Sequence, residues 1–276
     1  MRIRRMLGLV ALAPAVVALA ALGGAAPAGA LAGGSVAVNT TNQSNNWSGY
    51  NVSALQGSTY TPVTSVAAQW VVPTASAHQG GQSEHSAMWI GIGGGCIDSG
   101  CNLTDSTLIQ AGTEQDVNAN GSTSYSAWWE AVPAPSVTAT SVTVNPGDHM
   151  QVSIIQSAVP EVWTISIKDT TNGESATGSV DPTPYASDYS TAEYILETPV
   201  TAGTSGAGIA VMPNLGPATF DVATLNGNPA GLNTSDEIQL VDTNNNIEAT
   251  PSAPDPDTDG FNVCTWASTC AAPASS

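Results

Sequence analysis

The chain has 276 residues, with 22 Asp and Glu against four Lys and Arg, a formal net charge of −18 and a pI near 4.1. Three of the basic residues, Arg2, Arg4 and Arg5, sit at the start, which leaves Lys168 as the one basic side chain beyond them. A surface of that sign cannot neutralise a phosphate backbone or an anionic bilayer, so nucleic acid and membrane surfaces are excluded as partners.

The first thirty residues combine a basic start, an apolar run from Met6 to Leu22 and the small-residue sequence Ala28-Gly29-Ala30. That pattern reads as a secretory signal peptide over 1–30, and the run is short for a spanning helix, which needs about 20 apolar residues. Export to an extracellular, oxidising place follows. A short N-terminal stub, 31–44, then leads into a domain over 45–250, with no internal repeat.

β-branched and aromatic runs follow one another at short intervals: Ser65–Val72, Ser86–Ile92, Thr107–Thr113, Thr123–Val132, Val137–Val144, Met150–Gln156, Glu161–Lys168, Glu193–Thr198 and Glu237–Val241. Clusters of Gly, Pro, Asn, Asp and Ser separate them, such as Val144-Asn145-Pro146-Gly147-Asp148 and Thr170-Thr171-Asn172-Gly173. No long stretch has helical period. Short strands with this punctuation predict an all-β antiparallel sandwich or barrel. Residues 251–276 read as a Pro/Asp-rich connector, PSAPDPDTDG, and a small C-terminal tail.

Cys96 with Cys101 and Cys264 with Cys270 form two local pairs, for which two short-loop disulfides are the economical reading, although four cysteines permit other connectivities. Zinc would call for C-x-x-C spacing with histidines nearby, and the chain has only His78, His85 and His149. No metal and no other cofactor is expected, and the high like charge makes a monomer the default.

Strand alternation sorts the polar residues into faces. Trp89, Gly91 and Gly93 oppose Met88, Ile90 and Ile92; Gln110, Gly112 and Glu114 oppose Ile109; Ser126, Trp128 and Glu130 oppose Tyr125, Ala127 and Trp129; Glu193, Ile195 and Glu197 oppose Tyr194 and Leu196. If the four polar faces adjoin, they line a cleft with indole walls and several acids. A carboxylate can take a proton from attacking water and return it to a leaving amine, while a neutral amide NH₂ can donate to a developing oxyanion. Two carboxyls with aromatic platforms also suit a glycoside hydrolase, and a lectin-like module on the same sandwich would bind without turnover. The glycosidase reading leaves Gln110 without a role.

Five segments, NWSGY at 46–50, MWIGIGGG at 88–95, TLIQAGTEQD at 107–116, SAWWEAVP at 126–133 and AEYILETP at 192–199, resemble in order and spacing the glutamic peptidases, the eqolisin family. The resemblance covers roughly residues 45–200. It implies a lectin- or glucanase-like, concanavalin-like jelly-roll sandwich and a metal-independent endopeptidase that cleaves proteins and peptides in acid. Carried over by motif, Gln110 and Glu197 are the catalytic pair. Trp89 and Trp128 match tryptophans that shape the substrate cleft, Glu114 and Glu130 match acids near the pair, and Glu193 is a structural or rim carboxylate. Gly93 and Ser126 stand where fungal members carry Asp, which alters the acid network while leaving the pair intact. The short 31–44 stub leaves no room for a sizeable inhibitory pro-segment, and Trp47 is expected to anchor the first strand.

Overall fold

A computed structural model describes residues 38–40, 42–98, 100–180, 188–203 and 206–275. The expected signal peptide lies outside the described residues, as does most of the 31–44 stub. Among the described residues there are thirteen strands of five residues or more: β1 (Trp47–Ser53), β2 (Ser65–Val71), β3 (Ala87–Gly93), β4 (Leu108–Val117), β5 (Thr123–Val132), β6 (His149–Gln156), β7 (Trp163–Asp169), β8 (Ser175–Val180), β9 (Thr191–Glu197), β10 (Pro217–Leu225), β11 (Glu237–Val241), β12 (Ile247–Pro251) and β13 (Phe261–Thr265).

Two antiparallel sheets face each other. The front sheet runs β11-β1-β9-β3-β4-β5, and the back sheet runs β8-β7-β6-β2-β10-β13-β12-β11. β11 belongs to both. Its first residues, Glu237 and Ile238, pair with β1, and its last, Leu240 and Val241, pair with β12. The chain therefore turns a corner between layers within one strand, which closes one side of the sandwich.

Alternation explains the core. Tyr50 and Val52 of β1, Met88, Ile90 and Ile92 of β3, Ile109 and Ala111 of β4, and Tyr194 and Leu196 of β9 point into the space between the sheets. There they meet Val66, Ala68 and Trp70 of β2, Met150, Val152 and Ile154 of β6, and Phe220 and Phe261 of β10 and β13. Phe220 and Phe261 stack at 4.9 Å, and Tyr50 from the front sheet lies 4.6 Å from Phe261. Each such fully buried side chain contributes roughly 1.5–3 kcal/mol. The two described disulfides join Cys96 to Cys101 and Cys264 to Cys270.

Two expectations change. The run Val137–Val144 is a strand only at Val137–Thr138, because Val142 N–H bonds back to the Ala139 carbonyl in a turn. Val142 and Val144 are apolar because they plug the core from that turn. The stretch after 250, read as connector and tail, supplies β13, with Phe261 and Val263 fully buried in the back sheet.

The outer face of the front sheet is packed as tightly as the inner one. Gly112 lies in register between Trp89 on β3 and Trp128 on β5, where the two indoles need the space a side chain would fill. A Cβ at Gly112 would sit 2.0 Å from the Met88 carbonyl oxygen and 2.6 Å from Trp89 Cβ. Gly112→Ala should therefore lower Tm by roughly 5–10 °C or abolish folding. Gly80→Ala, where a Cβ meets nothing within 4 Å, should leave Tm unchanged. Thermal melts of the two variants beside the parent check this, and equal melts would contradict the packing.

Candidate active site

The outer face of the front sheet is a grid fixed by register. One row reads Trp47, Glu197, Ala87, Glu114, Ser126 across β1, β9, β3, β4 and β5. The next reads Gly49, Ile195, Trp89, Gly112, Trp128, and the third reads Asn51, Glu193, Gly91, Gln110, Glu130. The four faces inferred from alternation are thus neighbours on one sheet, in the strand order β9-β3-β4-β5.

Gln110 and Glu130 are direct cross-strand partners, and the Gln110 amide Nε2 donates to Glu130 Oε2 at 2.7 Å. Gln110 Oε1 is buried and accepts nothing. Glu197 lies on a diagonal from Gln110, two strands away, and is held by donors: Trp89 Nε1 at 2.8 Å, Asn46 Nδ2 at 3.5 Å, and the Trp47 indole. Trp47 meets Trp89 edge to face at 4.9 Å and 77°, which fixes both rings beside the carboxylate. Glu114, in the row of Glu197, accepts from Ser126 Oγ at 3.1 Å.

Burial decides the electrostatics. Gln110 and Glu130 are 1 % exposed and Glu197 is 5 % exposed. Burial pushes the Glu197 carboxyl from 4.5 up to about 7, against the pull of the Trp89, Trp47 and Asn46 donors. Burial likewise pushes Glu130 up to about 7; its bond from Gln110 opposes this, while repulsion from Glu197 and Glu114 adds to it. Glu130 therefore senses Glu197 through space. Two carboxyls in one dry site cannot both ionise easily, so they titrate as a pair that holds one proton over a range of pH. Glu197 has three donors aimed at its charged form and Glu130 has one.

The remaining expected residues fall into place around this pair. Trp89 and Trp128 are buried and form a packed floor with Trp47, Leu108, Val132, Ile195 and Ile238. Glu193 is fully buried, and burial, with repulsion from Asp105 adding to it, raises its carboxyl well above the usual range. A Cβ at Gly95 would lie 2.7 Å from its Oε1, which places that carboxyl against the Cys96–Cys101 loop. Cys264 and Cys270 lie at the β13 end of the back sheet. Sequence reasoning missed Asn46 and the indole donor of Trp47, both in the NWSGY segment, whose pairing with β9 brings them to Glu197.

Comparison with known proteins follows the same outline. A model of the Peptidase A4 family matches residues 45–260. Aspergillopepsin-2 of Aspergillus niger is 26% identical over 157 residues, 50% of this chain and 50% of that protein, so the chain spans about half the length of this relative. Two solved structures share the fold. Scytalido-glutamic peptidase with a transition state analog inhibitor superposes with a TM-score of 0.62 at 19% identity, covering 80% of this chain and 98% of that one. SCP-B, a member of the eqolisin family, in complex with the tripeptide Ala-Ile-His, gives 0.58 at 18% identity over the same shares.

The raised carboxyls carry a stability consequence. For Glu130 and Glu197 the folded pKa of about 7 lies above the ordinary 4.5, so between those values the folded chain holds protons that the unfolded chain has released. Stability is full below about pH 4.5 and is lost as pH rises through 7. Tm should fall by roughly 5–15 °C from pH 4.5 to 7.5, and Glu130→Gln should make the decline shallower. Melts across that range check it; a Tm that is flat or rises with pH would contradict the burial of these acids.

Proposed function

The chain belongs to the Peptidase A4 family, the eqolisin glutamic peptidases, and we propose that it is an exported, acid-active endopeptidase working through Gln110 and Glu197. The observation that carries the reading is the pairing, on one buried sheet face, of a carboxyl held by indole and amide donors with an amide bonded to a second buried carboxyl. The two disulfides fit an oxidising compartment.

In this mechanism a peptide lies over the outer face of the front sheet. Glu197, ionised, accepts a proton from a water as its oxygen attacks the scissile carbonyl carbon. Gln110 Nε2 donates to the oxygen on which negative charge collects. A donor so placed lowers the barrier by roughly 3–4 kcal/mol, a factor of about 10²–10³ in rate. The tetrahedral intermediate then collapses, the C–N bond breaks, and Glu197 returns the proton to the leaving nitrogen. Every step is carried by side chains of the chain itself.

Glu130 sets the orientation of Gln110. As a carboxylate it accepts from Nε2 and holds the NH₂ away from substrate. As a carboxylic acid it donates to Gln110 Oε1, which is otherwise unpartnered, and the amide turns its NH₂ toward the carbonyl. The active form therefore has Glu197 charged and Glu130 protonated. Activity falls above about pH 7, where Glu130 loses its proton, and falls on the acid side as Glu197, itself pushed up to about 7 by burial, gains one.

The test is cleavage of a denatured protein from pH 2 to 8, with chelator and pepstatin present. Gln110→Ala should lose about 10²–10³ in kcat and Glu197→Gln should lose activity altogether. Glu130→Gln, whose amide can donate to Oε1 at any pH, should stay active and extend cutting to higher pH. Full activity in Gln110→Ala and Glu197→Gln would refute the pair. A folded parent protein that cuts no protein yet hydrolyses polysaccharide would point to the glycosidase chemistry instead.

A further inference from the structure

The segment Asp255-Pro256-Asp257-Thr258-Asp259-Gly260 repeats acid at every second position and ends in glycine, the D-x-D-x-D-G spacing with which calcium loops present oxygens to one point. It lies on the back sheet, away from Gln110 and Glu197. The loop is pinned to the body: Asp255 N–H bonds to the Gly260 carbonyl, Ala223 N–H to the Asp259 carbonyl and Leu232 N–H to the Thr258 carbonyl. Beside it, β10 breaks register between Asp221 and Thr224, and Val222 takes φ +51°. That bulge brings Asp221 to the loop.

Carboxylate oxygens of Asp221, Asp255 and Asp259 all lie within 4.8 Å of one another. Asp255 is 3 % exposed. Its Oδ1 accepts from the N–H groups of Asp259 and Gly260, and its Oδ2 is buried with no hydrogen-bond partner. Asp259 Oδ1 is buried and unpartnered too. Gly260 closes the cradle: a Cβ there would sit 2.5 Å from Asp255 Oδ2 and 3.1 Å from Asp221 Oδ1. Asp257 adds its charge beside both Asp255 and Asp259. Asp221 Oδ1 accepts from the Val222 N–H at 2.9 Å, while Asp255 Oδ2 and Asp259 Oδ1 turn buried lone pairs into the same point without a donor, an arrangement a cation resolves.

We propose that Asp221, Asp255 and Asp259, with Asp257 at the rim, bind one structural Ca²⁺ that ties the β12–β13 connection to the bulge of β10. Oxygens about 2.3–2.6 Å from a central ion lie at most ~5 Å apart, which matches the observed cluster, and an all-carboxylate cage suits Ca²⁺ better than the reluctantly dehydrated Mg²⁺. The site is independent of the peptidase chemistry and can be present whether or not Gln110 and Glu197 act as proposed.

Full-length protein stripped with EDTA at pH 7 is titrated calorimetrically with CaCl₂, with MgCl₂ as control, and melted in EDTA and in excess Ca²⁺. The expected result is one Ca²⁺ per chain and a Tm raised by roughly 5–10 °C at about a hundredfold excess over Kd. Asp255→Asn and Asp259→Asn should weaken binding about tenfold or more, and Asp257→Asn, at an exposed position, by less. In EDTA the Asn variants should melt no lower than the parent, because they relieve repulsion. No saturable heat in the parent together with identical melts in EDTA and Ca²⁺ would overturn the site, as would undiminished binding in Asp255→Asn and Asp259→Asn. Equal affinity for Mg²⁺ would overturn the choice of ion.

Discussion

The structure turns on burying acid without base. Gln110, Glu130, Glu193 and Glu197 are all at most 5 % exposed, and Lys168, the one basic side chain past residue 5, is exposed on β7 of the back sheet. No ammonium or guanidinium reaches the front sheet among the described residues, so its carboxyls cannot be held as ion pairs. They are held by indole and amide donors, and by keeping protons. A site made this way keeps its carboxyls protonated further up the pH scale than free acids do.

The packing itself comes from small residues placed opposite large ones. Gly112 separates Trp89 from Trp128, and Gly91 separates Glu193 from Gln110, so that β3 and β4 can bring indoles and long polar side chains onto one flat face. Trp47 and Trp89 then wall off Glu197 and aim their N–H groups at it. On the back sheet the same excess of acid meets a different solution at Asp221, Asp255 and Asp259, whose oxygens converge and where Asp255 Oδ2 and Asp259 Oδ1 are buried without a donor. Proton, amide and cation are the ways available to a chain with so few basic groups.

Much of this was legible in the sequence because β-strands have period two. The split of Gln110 from Ile109, of Trp89 from Ile90 and of Glu197 from Leu196 followed from alternation, and the motif resemblance joined the segments into one site. Alternation does not say which strand lies beside which. That Gln110 and Glu130 share a cross-strand pair, and that β1 brings Asn46 and Trp47 to Glu197, depends on register set by long-range pairing. Nor does it measure burial, so the sequence does not show that the tryptophans pack together as a floor beneath the polar residues. Val137–Val144 has strand composition because a turn can plug a core with valines as well as a strand can. The Pro/Asp segment at 251–260 looked like a linker because its acids are bland until β10 bulges toward them.

Carbon-detected NMR titration of side-chain-carboxyl-labelled glutamate, with Glu130→Gln and Glu197→Gln to assign the two resonances, addresses the shared proton directly. The account predicts that Glu197 ionises first and that Glu130 keeps its proton to about pH 7, well above the ordinary 4.5. Both carboxyls ionising independently near the ordinary value, or Glu130 ionising before Glu197, would contradict it.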